Sequence, residues 1–148
     1  MIIDIKSIRQ KGLDEEDFYF EYTPDNGIIS LPDAKFFKPC EISAKCEVYT
    51  GKAYVSGVVK FFIETSCSRC LAPATYEGIV EYDEEFLPVS QAESAETSYS
   101  KDRIDLKPLI EQIIMTNTPF AVYCKPDCKG LCPTCGKNLN DGDCECKS

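Results

Sequence analysis

Ten cysteines and no histidine in 148 residues constrain this chain more than any other feature. Six of the ten fall in the last 25 residues, CKPDCKGLCPTCGKNLNDGDCECKS, and the others are Cys40, Cys46, Cys67 and Cys70. Thiols this crowded are disulfide partners, reactive groups or metal ligands, and each choice implies a different compartment. No apolar run approaches the ~18 residues a membrane span needs, and Met1-Ile2-Ile3-Asp4 does not begin a basic-then-apolar leader. The expected location is therefore the cytoplasm, where thiols are kept reduced. Clustered cysteines in that setting more often hold metal.

Cys132-Pro133-Thr134-Cys135-Gly136 has the form of a zinc knuckle, with two sulfurs pointing the same way and Gly136 at the positive-φ position of the turn. Cys144-Glu145-Cys146 follows within reach, so Cys132, Cys135, Cys144 and Cys146 can close a four-sulfur tetrahedron locally. Cys67-Ser68-Arg69-Cys70 is a second half-site. It joins two expected antiparallel strands and lacks the βαβ setting of a thioredoxin-type redox pair. Cys124 and Cys128 are the available partners for Cys67 and Cys70, which gives two sets of four cysteines. Two rival arrangements stay open: Cys67 and Cys70 with Cys132 and Cys135, or Cys124, Cys128, Cys132 and Cys135 as one local site. Cys46 is expected as a small core residue, and Cys40 has no assigned role.

Four thiolates with no open position describe a structural site, and a chain without histidine offers no Cys–His dyad or Ser–His–Asp triad. Zinc is the expected metal, in two structural four-cysteine sites. A rubredoxin-like iron fits the ligands, but no other feature points to electron transfer. There is no glycine-rich nucleotide cradle, so neither a small-molecule substrate nor an enzyme is expected.

From Cys40 to Phe86 the pattern is β, with Ile42, Ala44, Cys46 and Val48, then Val55, Gly57, Val59, Phe61 and Ile63, then Tyr76, Gly78, Val80 and Tyr82 at period two. A turn is expected at Tyr49 to Lys52. Ile2 to Ile5 and the alternating Phe18, Phe20 and Tyr22 are candidate edge strands, with turn chemistry at Lys11 to Asp17 and Thr23 to Gly27. An acidic linker is expected over about 87–102. It leads into an amphipathic helix over about 105–117, with Ile104, Leu106, Leu109, Ile110, Ile113 and Ile114 at helical spacing and Asp105 as a cap. The expected fold class is α+β: an antiparallel β-sheet or partial barrel with one packed amphipathic helix. Residues 1–118 form the β domain, and 119–148 form a C-terminal cysteine-rich zinc module.

A net charge of −9 argues against binding nucleic acid by bulk attraction, and zinc held by four thiolates makes the balance more negative. RNA contact would be local, and a basic protein partner suits the charge. Arg69, on its turn, is a candidate contact for phosphate or carboxylate.

The chain resembles the YceD family of large-subunit ribosomal RNA accumulation proteins. The resemblance rests on Cys67-Ser68-Arg69-Cys70-Leu71 with Pro73, on Ile104-Asp105-Leu106, on the block from Cys128 to Asn140, and on Cys144-Glu145-Cys146. It implies a non-enzymatic factor in ribosome assembly whose partner is a pre-ribosomal large-subunit particle, met at a ribosomal protein or locally at rRNA. Arg69, Lys125, Lys129 and Lys137 are the basic residues expected to make contact. Two other functions suit the same cysteines: a thiol redox or zinc-responsive switch, and a protein–protein adaptor unrelated to ribosomes.

Overall fold

The structure is a computed structural model that describes residues 1–49, 52–91 and 98–142. Along the chain run β1 (Ile2–Asp4), α1 (Ile5–Gln10), β2 (Glu15–Tyr22), β3 (Lys35–Phe36), β4 (Cys40–Tyr49), β5 (Lys52–Ser66), β6 (Pro73–Pro88), β7 (Ser98–Tyr99), β8 (Arg103–Asp105) and α2 (Lys107–Asn117), with 3-10 turns at Asn26–Ile28 and Leu139–Asp141. The period-two stretch forms the three long strands β4, β5 and β6, paired antiparallel. Tyr49 lies opposite Lys52, and Ser66 lies opposite Pro73. The first of these connections lies outside the described residues, and the second carries Cys67 and Cys70. β2 adds an antiparallel edge, with Phe18 opposite Ala44, and β3 pairs with the Ile63 end of β5.

Alternation over most of their length gives these strands one dry face, with Phe62 the exception, buried on the outward side. Ile42, Val55, Val59, Phe61, Ile63 and Phe86 point to one side and are buried, which suits β-branched and aromatic side chains on a pleated surface. Ile5 and Ile8 of α1, Ile3 of β1, Ile104 of β8, and Leu109, Ile110 and Ile114 of α2 join them in one core. Each such side chain contributes about 1.5–3 kcal/mol when fully buried. Cys40 and Cys46 are both fully buried, and burial pushes their thiols up to about 12 and about 11. They behave as small apolar residues.

Three local expectations change. The helix begins at Lys107, not 105, because Arg103–Asp105 forms β8 and sets Ile104 opposite Ile3 of β1. The β-branched Ile104 gains more by closing that two-stranded sheet over the core than by adding a turn to α2. Asp105 still serves the helix start, since its Oδ1 accepts the Lys107 N–H at 3.0 Å. The strand expected from Ile2 stops at Asp4, whose carboxylate accepts the Ser7 N–H and caps α1, a helix of six residues with no counterpart in the sequence reading. Within the stretch expected to be an acidic linker, β6 continues to Pro88 and Ser98–Tyr99 pairs with it in parallel, with Tyr99 buried. This short pairing makes the sheet mixed at one edge. No helix among the described residues is long and apolar enough to cross a membrane.

Candidate metal centre

The β5–β6 connection is a tight turn. The Cys67 N–H donates to the Ala72 carbonyl at 2.7 Å, and the Leu71 N–H donates back to the Cys67 carbonyl at 3.0 Å. Leu71 closes it at φ 65. After α2 the chain passes beside this turn and is clamped to it by two bonds. The Ser68 N–H donates to the Val122 carbonyl at 2.8 Å, and the Val122 N–H donates to Ser68 Oγ at 3.2 Å. Cys124 and Cys128 follow directly, so the clamp delivers them to Cys67 and Cys70.

The sulfurs of Cys67, Cys70, Cys124 and Cys128 all lie within 4.8 Å of one another. Cys67 is 3.6 Å from Cys128 and Cys70 is 3.5 Å from Cys124. These separations are too long for a disulfide, whose sulfurs stand about 2.05 Å apart. They are close to the ~3.8 Å between sulfurs that tetrahedral Zn–S bonds of about 2.3 Å require. The donor set therefore fits a soft tetrahedral cation, and this cluster of four can hold a metal.

Hydrogen bonding holds two of the four thiols below the ordinary thiol range. Burial pushes the Cys67 thiol up, but the backbone N–H groups of Cys70, Arg69 and Cys124, with the Cys128 thiol, outweigh it and bring it down to about 6. Cys128 is also lowered, chiefly because the Asn140 side-chain amide donates to its sulfur at 3.4 Å. Cys124 moves the other way, up to about 12, first through its hydrogen bond with Cys70 and then through burial. A cation replacing the shared protons would relieve that opposition.

Cys132 and Cys135 are not drawn into this group. Cys132 is buried and Cys135 is exposed on a hairpin of their own. Its hydrogen bonds repeat those of the first turn: the Cys132 N–H donates to the Lys137 carbonyl at 2.8 Å, and the Gly136 N–H donates to the Cys132 carbonyl at 2.9 Å. Gly136 has φ 77 where the first turn has Leu71. The two CxxC turns are thus built alike. Cys144 and Cys146 lie outside the described residues.

Two residues that sequence reasoning missed tie these parts together. Asn140 bonds Cys128 through its amide and accepts the Lys129 N–H on Oδ1 at 2.9 Å, and Ser68 forms the clamp with Val122. Arg69 has internal partners. Its Nη1 donates to the Cys128 carbonyl at 2.9 Å, and its guanidinium lies 4.5 Å from the centre of the Tyr123 ring. It therefore stitches the first turn to the incoming segment. Arg69→Ala is expected to lower stability by about 1–2 kcal/mol in urea unfolding, through the lost bond to a carbonyl and the lost cation–π contact. A change below about 0.3 kcal/mol would mean the stitch contributes nothing.

A mostly antiparallel sheet with α2 packed on it, closed at the β5–β6 turn by four converging thiols and tied there to the segment after α2, defines a small α+β protein built around a cysteine clasp. The chain belongs to the YceD family: the family profile described as large ribosomal RNA subunit accumulation protein YceD matches residues 55–148. It is 30% identical over 105 residues to an uncharacterised protein of Mycobacterium tuberculosis, covering 67% of this chain and 51% of that protein. It is 28% identical over 107 residues to an uncharacterised protein of Mycobacterium leprae, covering 68% and 49%. To the large ribosomal RNA subunit accumulation protein YCED homolog 1, chloroplastic, of Zea mays it is 26% identical over 156 residues, covering 82% and 53%. The chain spans about half the length of these relatives. No solved structure matches.

Proposed function

We propose that this protein is a zinc-binding factor that supports the accumulation of large-subunit ribosomal RNA, acting in the cytoplasm as a non-enzymatic component of large-subunit assembly. Membership of the YceD family supports the ribosomal part of this reading. The convergence of Cys67, Cys70, Cys124 and Cys128 supports the metal part. Zinc at this position would supply no chemistry of turnover, because four thiolates fill its coordination; it would lock the segment after α2 onto the β5–β6 turn. A second zinc held by Cys132, Cys135, Cys144 and Cys146 is the companion proposal, supported by the likeness of the two CxxC turns. The partner on this reading is a pre-ribosomal large-subunit particle, contacted at a ribosomal protein or at rRNA, with Arg69, Lys125, Lys129 and Lys137 near the contact.

Separate measurements test the two parts. Native mass spectrometry of protein purified without chelator is expected to show two zinc ions per chain; finding none would overturn the metal part. Depletion in the source cell is expected to lower large-subunit rRNA, and the protein is expected to co-sediment with large-subunit precursors. Normal rRNA, together with absence from every precursor fraction, would overturn the ribosomal part.

A further inference from the structure

We propose that the open face of the sheet, on β2, β4, β5 and β6, is a docking surface for a Lys/Arg-rich polypeptide segment. The face follows from register. One cross-strand row sets Tyr19, Ser43, Val58 and Glu81 side by side, and the rows on either side continue the same outward parity from Glu15 to Glu21 on β2 and from Ile79 to Glu85 on β6. Every residue in these four rows is exposed or half-buried, whereas the opposite face is the core. Nothing among the described residues covers it. At ~3.3 Å per residue and ~4.8 Å between strands, the rows span an area of about 20 by 14 Å, room for several residues of an extended segment.

The chemistry of the face selects the occupant. Its four rows carry eight carboxylates against Lys45 and Lys60. Lys45 is already committed, with Nζ 3.2 Å from Glu15 and 3.8 Å from Glu47. Among the carboxylates stand exposed Tyr19 (58%), Tyr54 (38%) and Ile79 (61%), which supply flat area for guanidinium stacking and for aliphatic stems. The chain itself seats one cation in this way. Phe62 shares the outward parity of Lys60, and Lys38 Nζ sits 3.8 Å from the centre of its ring. Carboxylates with interspersed aromatics complement a basic peptide, whereas they repel a polyanion such as RNA. This inference goes beyond the cysteine cluster and stands even if that site holds no metal.

The test uses the full chain purified without chelator, with a fluorescein-labelled peptide of the repeat Lys-Leu-Arg-Gly as probe and labelled oligouridine as competitor class. The wild type is expected to bind the peptide and not the oligouridine. The pair Glu81→Lys and Asp83→Lys should weaken peptide binding roughly tenfold. The pair Glu84→Lys and Asp127→Lys makes the same change in net charge, but Glu84 lies on the other side of β6, opposite buried Val55. It is expected to weaken binding less than about twofold. The milder pair Glu81→Gln and Asp83→Asn, expected to weaken binding roughly threefold, keeps the result interpretable if the lysine pair misfolds. Equal weakening by both lysine pairs would mean that net charge alone attracts the probe and would overturn the proposal. So would failure of the wild type to bind the peptide, or preferential binding of oligouridine.

Discussion

Cys67→Ser is expected to remove one zinc ion per chain and to melt the segment that follows α2. Cys67 is fully buried, its sulfur receives backbone N–H groups from both sides of the cluster, and these bring its thiol down to about 6 against the cost of burial. A serine hydroxyl stays protonated at neutral pH and is a poor zinc ligand, so three sulfurs would be left around an open position. Structural zinc in small modules contributes on the order of 10–16 kcal/mol at neutral pH, comparable with the ~5–15 kcal/mol that holds a whole domain together. Without the metal, the segment from Val122 to Cys128 is left with the Ser68 clamp, the Arg69 stitch, the Asn140 amide on Cys128 and the burial of Val122, a handful of contacts each contributing about 1 kcal/mol. Trypsin should therefore cut the variant rapidly after Lys129, whereas the wild type with its metal bound should resist cleavage there; Lys125 is followed by Pro126 and is not a trypsin site. Cys40→Ser is the control, since Cys40 is equally buried but outside the cluster; it should keep the full zinc count and lose only about 1–3 kcal/mol. A wild-type zinc count in Cys67→Ser would refute ligation at this position. Zinc affinity in the wild type should also fall as pH falls, because protons compete for the same thiolates.

The parts of this molecule that were legible in the sequence are those governed by short periods and close spacings. Period two marked β4, β5 and β6, because one face of each strand is buried and the other is wet. The apolar spacing of Leu109, Ile110 and Ile114 marked α2 for the equivalent reason. The grouping of Cys67 and Cys70 with Cys124 and Cys128 was one of three that the cysteine spacing left open, and it is the return of the chain after α2 to the β5–β6 turn that brings these four together. What stayed hidden depends on pairing between distant segments. Ile104 reads as the start of a helix until Ile3 is placed opposite it. Leu71 reads as an ordinary apolar residue, and its φ of 65 disguises the kinship of its turn with the one closed by Gly136. Asn140 carries no local signal for bonding a sulfur 12 positions away. The acidic outward face likewise emerges only when four strands are set in register, because no single strand contains it.

Gly57→Ala is expected to be the most damaging single substitution in the sheet. Gly57 lies in the middle of β5, opposite Ala44 of β4 and Tyr82 of β6. A Cβ added there would stand 1.9 Å from the Ser43 carbonyl oxygen and 2.7 Å from its carbon. Both are backbone atoms, so no rotamer change relieves the clash. Nor is that carbonyl free to turn aside. It accepts the Tyr82 hydroxyl at 2.9 Å, while Ser43 Oγ takes the Val58 N–H at 3.0 Å. An alanine must therefore push β4 away from β5 and break bonds on both sides of the position. The expected loss is about 4 kcal/mol or more in urea unfolding, at the severe end of single substitutions. Two other glycines calibrate the argument. At Gly78 the obstacle is the Phe61 ring, 2.2 Å from the added carbon; a side chain can yield where backbone cannot, so Gly78→Ala should cost about 2–3 kcal/mol. At Gly136 nothing lies within 4 Å, but φ is +77, so Gly136→Ala should cost only about 1–2 kcal/mol of backbone strain. The order Gly57, Gly78, Gly136 separates three physical causes: backbone overlap, displaced packing and dihedral strain. If Gly57→Ala were as mild as Gly136→Ala, the close approach of β4 to β5 would not exist in solution, and the register that builds both the core and the outward face would have to be redrawn.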